Sequence, residues 1–271
     1  MELGYSRLLY CRIAFRQVKT VGLILQGQRV IVDHSCREGL ITRPEGNPTI
    51  ERIGDLKIYS VFKRQLLSAK RRRNREQRQL GDNCPLIYAL KGKEGLSTDI
   101  TSIKRLNESF TEILRQIAVQ EPDGYQLIIS MPSAHNISHI VGRRFARQFD
   151  AKHVTDLLRK ITVQEAFRLL DRADISVEDS RSLAFRIKSQ AREVGLNGNF
   201  SLKGIRPNLR EVFPPLVLNV APALAFRPMR ILLVDDLMAS GTTLNTAAHI
   251  ISQQYAGATI HAACLFSSVG R

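Results

Sequence analysis

Two apolar runs, Val21 to Leu25 and Val30 to Val32, flank Gln26-Gly27-Gln28 and predict a β-hairpin. Residues 35–54 are polar and carry Gly39, Pro44, Gly46 and Pro48, a composition that predicts a loop. Leu56 to Phe62 reads as a further strand. Beyond residue 96 the period changes from two to 3.6. Ile103, Leu106, Phe110, Ile113, Leu114 and Ile117 form a helical stripe, with Ser97 or Asp99 placed to cap it. Pro122-Asp123-Gly124 predicts a turn, Tyr125 to Ile129 a strand, and Ile137, Ile140, Val141 and Phe145 a helix. Ser176-x-x-Asp179 resembles a capping box with Asp in place of Glu, which opens another helix. Ile231 to Val234 predicts a buried strand, Leu244 to Tyr255 a helix, and Ala258 to Phe266 a strand. Strands alternating with helices predict an α/β domain built on a mostly parallel sheet.

Charge divides this pattern. The 271-residue chain carries a net charge of +15, and residues 1–95 alone hold 19 basic and nine acidic side chains. That shift predicts a strand-rich basic N-terminal region over 1–95 and an α/β domain over 96–271. The densest run, Lys70, Arg71, Arg72, Arg73, Arg75 and Arg78, is either a solvated helix face or loop, or a contact for nucleic acid. Aromatics make up only 6% of the chain, and no RNA-binding aromatic signature accompanies the run. Cys11, Cys36, Cys84 and Cys264 form no CxxC pair, so no structural zinc is expected and the thiols suit a reducing, cytoplasmic compartment. His135 and His139 lie four apart without a third ligand at recognisable spacing, which again does not predict zinc. No stretch approaches the ~20 apolar residues of a membrane helix, so no membrane partner is expected.

The chemistry concentrates in Ile231-Leu-Leu-Val-Asp235-Asp236-Leu-Met-Ala239-Ser240-Gly241-Thr242-Thr243-Leu. Two carboxylates stand at the carboxyl end of an apolar strand, where open α/β sheets form their ligand crevice. A short loop with one glycine follows and then a helix start, whose unpaired N–H groups can hold a phosphate. Ser240, Thr242 and Thr243 add hydroxyls, and Gly241 permits a tight turn. Anions repel, so acids beside a phosphate cradle need a mediator. A sugar diol supplies one, because its hydroxyls donate to the carboxylates while the phosphate sits a few bonds away. The bland alternative is an Asp-Asp pair capping an ordinary loop.

The stretch Val234 to Thr243 resembles the signature by which type I phosphoribosyltransferases bind 5-phosphoribosyl-1-pyrophosphate (PRPP). Within that family the ComF-like competence proteins are the most similar branch. The resemblance runs through Cys84 to Lys93, Leu127 to Pro132, Leu157 to Gln164 and Gly198-Asn199-Phe200, covering roughly residues 82–271. It implies a twisted, mostly parallel sheet with flanking helices and a small hood, preceded here by the strand-rich basic region. It implies Asp235 and Asp236 on the ribose hydroxyls and Ala239 to Thr243 around the 5′-phosphate. Ser133, Ala134 and His135 would form the pyrophosphate loop, and Arg159 and Lys160 would meet pyrophosphate from the hood, with Arg143 or Arg144 as alternatives. Mg²⁺ would accompany PRPP, touched by the two aspartates only indirectly, and a homodimer would be ordinary for the fold. Three departures stand out: no four-cysteine zinc module, no Arg-Gly-Phe-Asn-Gln run, and Ala239 where purine-salvage members carry an aspartate. Alanine cannot exchange a proton with a base, so purine salvage is disfavoured and the acceptor stays open. Two functions are therefore expected in competition: a phosphoribosyltransferase, or a nucleic-acid-associated or regulatory protein that keeps the pocket with little turnover.

Overall fold

The computed structural model describes residues 22–34, 40–64, 84–219, 224–238 and 240–267. The basic run Lys70 to Arg78, together with Cys11, Cys36 and Ala239, lies outside them.

Strands β1 (Leu23–Gln26) and β2 (Arg29–Val32) form the expected hairpin, and β5 (Ser97–Thr98) adds to β2 in parallel. The main sheet has six strands in the order β3-β4-β11-β10-β6-β7. These are β3 (Thr49–Ile53), β4 (Leu56–Lys63), β6 (Leu127–Ser130), β7 (Lys152–Val154), β10 (Arg230–Met238) and β11 (Thr259–Ser267). All neighbours pair in parallel except β3 with β4. The protein is thus a mixed α/β fold, with helices on its sheet and both parallel and antiparallel pairings.

Six α-helices are described: α1 (Pro85–Leu90), α2 (Ile100–Gln120), α3 (Ile137–Phe149), α4 (Val163–Leu170), α5 (Val177–Val194) and α6 (Thr242–Gln254). Side chains on one sheet face, including Tyr59, Val61, Leu232 and Val234, are buried with Leu86 of α1, Phe110 and Ile113 of α2 and Phe145 of α3. The other face, with Ile58, Ile231 and Leu233, packs on Leu244, Ala247 and Ile251 of α6. A third core belongs to residues 158–218. There α4, α5 and a 3-10 turn at Pro207–Val212 enclose Ile187, Phe200 and Phe213 beside the small antiparallel pair β8 (Leu158–Arg159) and β9 (Val217–Leu218).

The expected loop over 35–54 needs correction at its end. Thr49 to Ile53 forms β3, an edge strand of alternating exposure that turns at Gly54 into β4. The compositional boundary at residue 95 also falls inside this architecture. Strand β4, on its N-terminal side, pairs with β11, and Leu23 and Val30 share a core with α2. A shift in charge marks a change of surface, while the buried positions continue across it.

The β10 strand runs further than its apolar residues suggest, because its two neighbours stop at different points. Pairing with β6 ends at Val234, whereas pairing with β11 continues to Met238. Asp235 and Asp236 are therefore held in extended backbone by β11 alone. From β6 the chain crosses outward through α3 to β7, and from β10 it crosses the opposite way through α6 to β11. The reversal leaves a crevice at the carboxyl ends of β6 and β10, the switch point where ligands bind in open α/β sheets.

Candidate functional site

Successive side chains in a strand point to opposite faces, so Asp235 and Asp236 straddle the sheet edge. Asp236 is buried, on the same face as Leu232 and Val234. Its Oδ2 lies 2.7 Å from Lys91 Nζ and accepts a longer hydrogen bond, 3.3 Å, from Ser133 Oγ. Lys91 is the C-cap residue of α1, where a cation also complements the helix carbonyls. Asp235 is half-buried, and its Oδ1 accepts the Asp236 backbone N–H at 2.8 Å. Burial and the neighbouring Asp236 charge push the Asp235 carboxyl up to about 6, against the pull of that hydrogen bond, Lys91 and Lys160. Cys264, the β11 partner of Asp235, is fully buried, and burial beside the two acids raises its thiol well above the ordinary value.

The loop after β6 carries Ser133, Ala134 and His135. The His135 N–H donates to Ser133 Oγ at 3.3 Å, which ties the loop to the hydroxyl that reaches Asp236. Ser138 Oγ donates to the Met131 carbonyl, fixing the first turn of α3 against the end of β6. Close approach is possible because residue 142 is glycine: a Cβ there would collide with Ser130 Oγ and His153 Nε2, which themselves bond at 2.8 Å.

Gly241 is the N-cap of α6, with φ of 75°. Ser240 and Thr242 hydroxyls bond to each other at 3.0 Å, and Thr242 and Thr243 are exposed. Neither α6 nor α3 has a side-chain cap on its first turn. The long helices elsewhere do: Asp99 caps α2, Thr162 caps α4 and Ser176 caps α5. The short α1 also starts without a side-chain cap, with Pro85 in its first turn, whereas the uncapped starts of α3 and α6 are the ones that follow β6 and β10, at the carboxyl edge of the sheet. Their N–H groups leave a positive end for an anion on either side of the acidic pair.

The cations expected from the hood divide. Arg159 makes two 2.7 Å bonds to Glu165, which also completes the capping box of α4; the Arg159 bond, with the Thr162 N–H, lowers the Glu165 carboxyl to about 2. That guanidinium is committed to its own subdomain. Lys160 is exposed, and its charge opposes the rise of the Asp235 carboxyl. Arg144 bonds Asn107 and Thr111 and stacks over Phe110, and Arg143 is exposed on α3.

Lys91 is the residue that sequence reasoning left without a role. It stood within the Cys84 to Lys93 stretch, but its meeting with Asp236 spans 145 positions. Among the described residues no group of three His, Cys, Asp or Glu side chains could hold a metal ion, and no helix is long and apolar enough to cross a membrane. The donor set at the crevice, two carboxylates with one already paired, suits a hard cation that arrives on a phosphate ligand and keeps most of its water. No protein-family model and no curated protein matches this chain.

Proposed function

We propose that the crevice between β6 and β10 binds PRPP, with Mg²⁺ carried on its pyrophosphate, and that the protein is a type I phosphoribosyltransferase in architecture and activity. One observation carries the reading. An acidic pair stands at the switch point of the sheet with an uncapped helix start on each side, an arrangement matched to a diol flanked by two phosphate groups.

In this reading Asp235 and Asp236 accept hydrogen bonds from the ribose hydroxyls. The 5′-phosphate lies on the Ser240 to Thr243 turn and the first N–H groups of α6. Pyrophosphate lies on the Ser133 to His135 loop, with Lys160 above it and Lys91 moving from Asp236 to the incoming anion. Lys91 then gains the anion as its counter-charge and Asp236 gains hydroxyl donors, so neither is left buried without a partner. Catalysis needs no covalent nucleophile. Positive character grows at C1 as the bond to pyrophosphate lengthens, and the crevice must neutralise the leaving group and exclude water.

Calorimetric titration with PRPP, ribose 5-phosphate and nucleoside monophosphates, with and without Mg²⁺, tests it. Saturable PRPP binding that strengthens with Mg²⁺ and is lost in a folded D235N/D236N variant is expected. Silence toward all of these ligands, or binding indifferent to the double substitution, overturns the proposal.

A further inference from the structure

Between α2 and α3 opens an apolar hollow of about 200 Å³. Phe62 of β4 and Leu265 of β11 line it from the sheet, Leu106 and Phe110 from α2, and Ile137 and Val141 from α3. Its mouth faces solvent, because the lining residue Ile140 is 60% exposed and Asn107 is exposed beside it. The described lining includes none of Lys91, Ser133, Asp235 and Asp236, so the hollow is a separate site from the acidic crevice.

Arg144 is the charged residue of that lining. It is half-buried, with its guanidinium 5.2 Å from the centroid of the Phe110 ring. Its Nη1 donates to Asn107 Oδ1 and its Nη2 to Thr111 Oγ1, the latter at 2.8 Å. Both acceptors are neutral. They hold the guanidinium against the wall without cancelling its charge, and they leave it further N–H groups to donate. The walls add to the excess. Helix α3 carries Arg143, Arg144 and Arg147 and no acid along its length. On α2, Glu112 is paired with Arg115 at 2.9 Å, which leaves Glu108 as the remaining carboxylate of that helix. A positive field over an apolar basin selects a ligand with an apolar body and a negative end, and it disfavours a cation. The volume suits a body of one ring, since ~150 Å³ accommodates benzene.

We propose that the hollow binds a small aromatic carboxylate, whose ring lies among the apolar walls and whose carboxylate accepts from the Arg144 guanidinium. Asn107 and Thr111 set that guanidinium in advance, so the ligand does not bear the cost of ordering a long side chain. The apolar walls supply affinity for the ring, and Arg144 decides the sign of the charge it carries. Neither part draws on the crevice, so the site stands apart from the phosphoribosyl reading.

Methyl-detected NMR titration of the full chain with phenylacetate, its neutral isostere phenylacetamide and the cation phenethylamine tests the site. Phenylacetate should bind saturably, with shifts at Leu90, Leu106, Ile137 and Leu265. It should bind about fivefold or more tighter than the amide, the margin that a charged acceptor adds to a hydrogen bond. Phenethylamine should be the weakest of the three. Arg144→Gln should bring acid and amide within about twofold of each other while the ring-induced shifts persist, and Arg144→Lys should restore the preference. Arg168→Gln removes one positive charge from the exposed side of α4, in the separate core of residues 158–218, and should leave the preference unchanged. Silence of these methyls toward all three probes overturns the proposal. So does an amine bound as tightly as the acid, or a preference for the acid that survives Arg144→Gln.

Discussion

At the scale of single residues, Asp235 joins burial to chemistry. A carboxyl raised to about 6 binds protons more readily in the folded chain than in the unfolded one. Between its ordinary value and 6 the native state therefore holds the extra proton, and its stability falls as pH rises through that window. Above about pH 6 the full cost is present. Asp235→Asn should remove it and stabilise the ligand-free protein near neutrality by about 1–3 kcal/mol, read as a rise in urea midpoint. The wild-type and variant curves should converge below about pH 4, where both side chains are neutral. PRPP affinity should move the other way, strengthening in the wild type as pH rises through 6, because only the ionised form accepts from both hydroxyls. A variant less stable than wild type at pH 7 would show that the carboxylate is held by native partners rather than kept for a ligand.

Among the elements, the turn after β10 depends on Gly241 twice. Its φ of 75° lies where L side chains are strained, and an added Cβ would collide with Ile53 Cδ1 at the end of β3. Gly241→Ala should cost about 2–3 kcal/mol and weaken PRPP binding, since the turn must shift where the 5′-phosphate would sit. Ile53→Ala should recover part of the stability loss, the steric part, and leave the backbone part. Additive losses in that double-mutant cycle would mean the two residues do not meet. This turn also shows what the sequence carries. The glycine, the two acids and the apolar run of β10 are neighbours in the chain, so strand, loop and helix could be read together. Contact with Ile53 could not, because β3 is a five-residue edge strand hidden among turn formers. Lys91 was hidden for a related reason: α1 is six residues long, too short for a helical stripe to announce it. The helix α2 was legible from its stripe and its cap, α5 from its Ser176-x-x-Asp179 capping signal, and the β1–β2 hairpin from two apolar runs about a Gly-containing turn. Within residues 158–218, α4 was not anticipated, although its Thr162-x-x-Glu165 box is a local signal.

For the molecule as a whole, the two ends of the main sheet do different work. The carboxyl ends present acids, uncapped helix starts and an open hollow. The amino ends are closed by Glu121, the C-cap of α2, which is buried among Lys57 of β4, Tyr59, Arg230 of β10 and His261 of β11. Lys57 lies 2.8 Å away and Arg230 2.6 Å. Burial alone would raise the Glu121 carboxyl, but the bonds from Lys57 and Tyr59, with His261 nearby, outweigh it and hold the carboxyl below its ordinary range. The sign follows: Glu121 contributes its full stability above about pH 4.5, and that contribution is lost as pH falls through the lowered value. Glu121→Gln should cost about 3–5 kcal/mol at neutral pH, because Lys57 stays half-buried without a counter-charge and Arg230 keeps only the more distant Asp123, 3.7 Å away. It should also flatten the acid side of the stability curve. The network joins α2, β4, β10 and β11 at the end of the strands away from the crevice, so the loss should appear in unfolding midpoint while the PRPP dissociation constant of the folded variant stays within about twofold. A binding constant that moves with the midpoint would mean the crevice geometry is set from the amino end, and that the division of labour between the sheet's two ends does not hold.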